Sequence, residues 1–262
     1  KWNPVEYTMT YNLNGGSMSG QRTTYNIESL SFVLQTPSRE GYEFVGWTGS
    51  NGSTVQTNVT IAQGSTGNKS YTANWSPITY TITYNLDGGS MSGQRTSYTA
   101  ETASFKLPTP TKNGYTFEGW VGSNGWTPQT SVTVNKGTTG NLSYTARWNP
   151  IDYTITYNLN GGSMSGQKTS YNIETSTFTL PPPTRNGYEF TGWTGSNGTT
   201  PQKTVTITRG STGNRTYTAN WKQLYGVLME GADFNAAVKR LSTGASSTIG
   251  TVNTVIKSIQ IT

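Results

Sequence analysis

Three runs of this chain carry most of the letters of a phosphate-binding loop. Residues 157–168 read YNLNGGSMSGQK, and residues 11–22 and 84–95 are near copies. A glycine-rich loop can wrap backbone N–H groups round a phosphate when it has the spacing G-x-x-x-x-G-K-[ST] between a strand and a helix. Gly161 and Gly166 have that gap, but Gln167 stands where the lysine is needed and Lys168 comes one place late. The residues that follow, TSYNIETSTFTL, alternate as a strand does, so no helix N-terminus is there to hold an anion. The spacing predicts a bend between two strands, with Gly161–Gly162 and Ser165–Gly166 supplying positive φ angles.

Acid–base chemistry has little to work with. Among the acids only Glu28, Glu101 and Glu174 recur in all three copies, and a paired acid and base needs two carboxyls held about 5–10 Å apart. The expectation for these three is a turn or strand-edge carboxylate satisfied by backbone or a basic neighbour. There is no His to act as a general base and no Cys for thiolate chemistry or disulfides. NLDGGS offers one carboxylate where calcium sites gather several. No catalytic residue, metal ligand or cofactor site is expected, and the chain is read as a non-enzyme. The net charge of +6 is the balance of 18 basic and 12 acidic residues, and the basic ones are scattered without a run, so no nucleic-acid stripe is visible.

Self-similarity settles the organisation. Trp75, Trp148 and Trp221 lie 73 residues apart, and the same step links Tyr7, Tyr80 and Tyr153, then Trp47, Trp120 and Trp193. No insertion disturbs the register. The boundaries read as 5–77, 78–150 and 151–222 for three copies, with 223–262 the start of a following domain. Trp2–Pro4 matches the WSP and WNP that end the first two copies, so residues 1–4 read as the end of a preceding one. The missing leader peptide therefore says nothing about compartment. No apolar stretch approaches the ~18 residues that span a bilayer.

Such a period is too long for a solenoid repeat and suits a small domain with its own core. Aliphatics are scarce, while 12% of residues are aromatic, so Trp and Tyr must supply most of the buried surface. EYTMTYNL, TYTITYNL and DYTITYNL alternate Tyr or apolar residues with Thr, a period of two. Gly, Pro and Asn clusters separate these from further strand patterns, and no segment shows a long helical period. The pattern predicts mostly antiparallel β structure with at most a short helical turn per copy. Only SPIT lies between Trp75 and Tyr80, and such a short joint containing Pro favours a stiff rod over a loose string. Three compact units end to end would reach on the order of 80–90 Å.

NGGS, then PSREGYEFVGW or PPTRNGYEFTGW, then a closing YTANW resembles the Listeria–Bacteroides repeat typified by the B repeats of internalin B. The resemblance covers all three copies. It implies a β-grasp-like small domain of bacterial surface proteins, used as a spacer or an adhesive module and carrying no catalytic residues. It also implies an extracellular location at the bacterial surface or cell wall. GSTGNKS before the last strand departs from the family pattern.

The candidate contact residues are few. Trp126 has Ser53 and Thr199 as counterparts, so the fold does not need a ring there; it is expected to be exposed in the loop GSNGWTP. Arg22, Arg95 and Lys168 form the one recurring basic position picked out in the turn region. In the last segment, Asp233 reads as the N-cap of a short helix carrying Phe234, Ala237, Val238 and Leu241, with TVIKSIQIT as a strand after it. Two readings of function follow. One is a non-catalytic stalk that presents neighbouring domains for adhesion. The other is a repeated module that grips a host glycan, glycosaminoglycan or surface protein.

Overall fold

The computed structural model describes residues 2–224. The helix expected from Asp233 and the strand expected over 254–262 lie outside the described residues. The chain divides into two compact units, 1–149 and 150–262. The first holds two copies of one sheet arrangement and the second holds one.

In the first copy the strands are β1 (Tyr7–Asn12), β2 (Thr24–Tyr25), β3 (Phe32–Val33), β4 (Tyr42–Gly49), β5 (Gly52–Gln56), β6 (Thr60–Ile61) and β7 (Lys69–Pro77). Five form a sheet in the order β2-β1-β7-β4-β5, and β3 pairs with β6 in a separate ribbon. The second copy repeats this with β8 (Tyr80–Asn85), β9 (Ser97–Tyr98), β10 (Phe105–Lys106), β11 (Tyr115–Gly122), β12 (Gly125–Gln129), β13 (Thr133–Val134) and β14 (Leu142–Pro150). In the second unit the same order is built from β15 (Tyr153–Asn158), β16 (Ser170–Tyr171), β17 (Phe178–Thr179), β18 (Tyr188–Gly195), β19 (Gly198–Gln202), β20 (Thr206–Ile207) and β21 (Arg215–Gln223). Among the described residues there is no helix, and so none long and apolar enough to cross a membrane.

One expectation is corrected. The sheet is mixed rather than antiparallel, because β1 runs parallel to β7, with Tyr11 opposite Tyr71. The same holds for β8 with β14 and β15 with β21. Alternation along a strand reports which residues share a face, not which strand lies alongside or in which direction. A parallel pair needs a long return connection, and here nearly the whole copy serves as that connection.

Alternation decides which face is buried. In β1, Met9 is buried while Thr8 and Thr10 face solvent. In β4 the simple period would put Phe44 and Trp47 on opposite faces. A register shift between Phe44 and Gly46 inserts one residue and turns both rings inward. Gly46 sits at φ +146°, and a Cβ there would come within 2.6 Å of the Gln56 backbone, so the bulge admits only glycine.

Each copy has its own core. Met9, Tyr25, Leu34, Trp47, Val59, Ile61, Tyr71 and Ala73 form the first, and equivalent clusters form the other two. Trp47, Trp120 and Trp193 are 0% exposed. Trp47 meets Phe44 edge-on at 5.3 Å and Tyr71 at 6.3 Å between ring centroids. Burying a ring of this kind removes roughly 150–250 Å² from water, or about 4–6 kcal/mol before conformational entropy is subtracted. Aromatic rings fill the centre of each core, with aliphatic side chains such as Met9, Leu34, Val59 and Ile61 packed beside them.

Candidate functional site

The glycine-rich run is a turn, plugged from the inside. Gly16 N–H donates to the Leu13 carbonyl at 2.9 Å, and Ser17 bridges to Ser38 on the far side. The closing Trp75 inserts behind it, its indole N–H donating to the same Leu13 carbonyl at 2.9 Å. Trp148 does this to Leu86 and Trp221 to Leu159. The positive φ angles fall on Asn14 (46°), Gly15 (81°) and Gly20 (71°), with equivalents in the other copies. The expected role of the second glycine is thus corrected: Gly162 has no positive φ, but a Cβ there would lie 2.5 Å from Trp221 Cζ2. Close approach of the indole, not backbone twist, demands it. The other end of the run is pinned as well, since the Tyr11 hydroxyl donates to the Arg22 carbonyl at 2.9 Å. Among the described residues, no group of three or more acids could hold a metal ion.

The expected basic position is occupied by packing. Arg22 lies over the Phe32 ring at 4.3 Å, Arg95 over Phe105 at 5.0 Å and Lys168 over Phe178 at 5.5 Å. Arg22 also lines a shallow hollow of about 180 Å³ with Tyr11, Phe32, Leu34 and Gln35. A second recurring basic position was not recognised from sequence: Arg39, Lys112 and Arg185. Arg39 lies over Tyr42 at 3.6 Å, Lys112 over Tyr115 at 4.3 Å and Arg185 over Tyr188 at 3.7 Å. Lys112 also pairs with Asp87 of the turn at 3.5 Å. The motif letters before G-Y held this signal, but the partner of the base is a ring three residues on.

Trp126 is 88% exposed, as expected, though it sits on the edge strand β12 and not in a loop. Arg95 precedes β9 at the opposite edge of that sheet, so the structure does not bring these candidates together.

The arrangement that does join residues from two copies lies within residues 1–149. β7 ends at Pro77 and β8 begins at Tyr80, leaving two residues between strands. Ile78 N–H donates back to the Gly41 carbonyl at 2.9 Å. The Tyr42 hydroxyl then donates to Glu101 Oε1 at 3.0 Å, and the Thr139 hydroxyl to Glu40 Oε1 at 3.0 Å. Between these bonds Gly41 is buried, and a Cβ on it would lie 2.9 Å from the Ala100 Cβ and 3.0 Å from Thr139 Cγ2. Partial burial and the Glu101 carboxylate push the Tyr42 hydroxyl upward, against the pull of Arg39. Glu101, expected to be satisfied by backbone or a base, instead receives a tyrosine from the neighbouring copy.

Elsewhere, burial holds Tyr71, Tyr84 and Tyr157 up at about 12. These rings pack in or against the cores and are kept neutral by their surroundings.

The sequence profile described as the Listeria-Bacteroides repeat domain matches residues 7–74, 80–144 and 153–220. A relative from Evansella cellulosilytica named "Putative membrane protein" is 30% identical over 199 residues, covering 74% of this chain and 28% of that protein. A second from the same organism, "Putative Gly-rich membrane protein", is 27% identical over 201 residues, with 74% and 22% covered. Internalin H of Listeria monocytogenes is 33% identical over 122 residues, with 45% and 21% covered. The chain thus spans less than a third of the length of each. With three tandem matches that together take in most of its length, the chain belongs to the Listeria-Bacteroides repeat family.

Proposed function

We propose that this chain is a non-catalytic stretch of a bacterial surface protein, a spacer whose small domains hold neighbouring parts of the protein apart for adhesion. Its domains are taken as 5–77, 78–150 and 151–222, each a β-grasp-like module. The mixed sheet with a parallel central pair supports that likeness. Surface placement rests on the family and on relatives named as membrane proteins and an internalin.

The observation that carries the reading is the seating of the second copy on the first. A flexible linker leaves its neighbours free; two residues flanked by a returned backbone bond and two side-chain bonds do not. Binding groups hung on such a spacer gain reach and avidity. The chain has no native Cys, so spin labels on Ser53→Cys and Thr127→Cys report the distance between the first and second copies cleanly. One narrow distance distribution is expected; a broad one overturns the stiff spacer.

Trp126 supports a second reading, a module that contacts a host glycan or surface protein. An indole 88% exposed, where the other copies carry Ser53 and Thr199, is a ready stacking platform. Glycan-array binding lost on Trp126→Thr would establish it. No retention on the array by the unaltered chain removes it.

A further inference from the structure

The second copy departs from the other two at three positions that belong together. Trp126 stands where they carry Ser53 and Thr199, Val121 where they carry Thr48 and Thr194, and Arg147 where they carry Asn74 and Asn220. In the first copy the Asn74 amide donates to the Thr48 hydroxyl at 3.1 Å, and in the third Asn220 donates to Thr194 at 2.9 Å. Valine has no oxygen to accept that bond, and in the second copy the amide has gone as well. Val121 is 4% exposed yet lies outside the core cluster, while Arg147 is exposed. An arginine stem covers an apolar neighbour and keeps its head in water. Among the described residues that head makes no ion pair or side-chain hydrogen bond, and Glu118, exposed on β11, does not pair with it.

The ring reaches the same place from β12. Gly122 pairs with Gly125 at the hairpin, and Val121 and Trp126 are the next residues along the two strands. Cross-strand neighbours share a face. Trp126, Val121 and Arg147 therefore lie across three adjacent strands, β12, β11 and β14, with the outer two roughly 10 Å apart. Nothing about this face depends on an end of the chain. The second copy has described copies before and after it. The matching strand β5 of the first copy is exposed throughout, although the second copy is seated on the first.

We infer that this face of the second copy binds an acidic saccharide, with one sugar ring stacked on Trp126 and a carboxylate or sulfate on the next sugar paired with Arg147. The inference deepens the Trp126 reading above and rests on it. The indole supplies a flat apolar platform with a polar tip. The guanidinium supplies a planar fork of N–H donors suited to an oxyanion, and it has no acid of its own to release first. The first and third copies have neither ring nor charge at these positions and act as controls within one chain.

Nuclear magnetic resonance titration of the whole chain tests this with a hyaluronan hexasaccharide, which carries carboxylates, a heparin hexasaccharide, which also carries sulfates, and neutral maltohexaose. An acidic sugar should shift the Trp126 indole N–H and the Arg147 Nε–H and leave the Ser53 and Thr199 amides in place. Binding of both acidic sugars assigns the carboxylate, and binding of heparin alone assigns the sulfate. Val121→Thr with Arg147→Asn installs the pair on which the other copies already fold, and should weaken binding at least about tenfold. Lys136→Gln, in the turn after β13, should change it less than about twofold. Equal shifts from maltohexaose, or binding indifferent to the Val121→Thr and Arg147→Asn pair, overturn the acidic class and leave the Trp126 reading standing. No shift at Trp126 with either acidic sugar, or an equal loss from Lys136→Gln, overturns the inference too, while the glycan array remains the separate test of Trp126.

Discussion

Replacing Gly162 by Ala separates the two explanations of the glycine-rich run. If the run were a phosphate cradle, or a turn needing backbone twist at its second glycine, the new methyl group would act through φ. It does not, because Gly162 lies outside the positive-φ set. The methyl group would sit 2.5 Å from Trp221 Cζ2 and 2.9 Å from the Thr184 carbonyl, which itself accepts the Ser163 N–H. Overpacking of this kind costs about 1–3 kcal/mol. Displacing the indole also strains its bond to Leu159, adding about 1 kcal/mol. The stiffer unfolded chain returns about 0.5 kcal/mol, so the net loss is about 1.5–3.5 kcal/mol, confined to the third copy. Hydrogen exchange on peptides from 153–223 across a urea series measures it. In a Trp221→Phe background the nearest clash is gone while the Thr184 carbonyl remains, so the same substitution should cost at least about 1 kcal/mol less. Equal costs in both backgrounds, or a loss below about 0.5 kcal/mol in the native one, would refute the plug.

Other outcomes follow from the same packing. Trp120→Ala empties the centre of the second core and should lose about 3–5 kcal/mol in that copy by denaturant unfolding, whereas Trp126→Thr should stay within about 0.5 kcal/mol. Alkali should weaken the folded chain. With Tyr71, Tyr84 and Tyr157 held at about 12, the unfolded chain ionises first, near the ordinary value of 10. Stability is therefore full below about pH 10 and falls as the pH climbs to about 12. The loss is ~1–2 kcal/mol per ring once solvent screening of part-exposed hydroxyls is allowed for. Ultraviolet tyrosinate absorbance alongside circular dichroism checks the order; ionisation of these rings well before unfolding would contradict it.

Much of the architecture was legible in sequence because repetition and alternation are local, additive signals. The constant step of 73 residues and the Thr–Tyr alternation pointed to repeated sheet units, and the shortage of aliphatics pointed to Trp47, Trp120 and Trp193 as core. Direction was not legible. Nothing in EYTMTYNL distinguishes a strand lying parallel to β7 from one lying antiparallel. The bulge at Gly46 was hidden for a related reason, since it breaks the alternation by which strands are read. Two contacts escaped because they join distant positions: Trp75 behind the NGGS turn, and Tyr42 on Glu101 of the next copy. Recurrence marked Glu28, Glu101 and Glu174 as a set, but a pairwise partner in another copy leaves no mark on spacing.

The central claim is that the second copy is seated on the first and does not swing from it. Amide nitrogen-15 relaxation over residues 7–150 tests this most directly, because seated copies must tumble together. The account predicts one rotational correlation time for both cores, with Ile78 and Thr79 as rigid as the strands beside them. Two separate, shorter correlation times, with fast motion at Ile78 and Thr79, would contradict it.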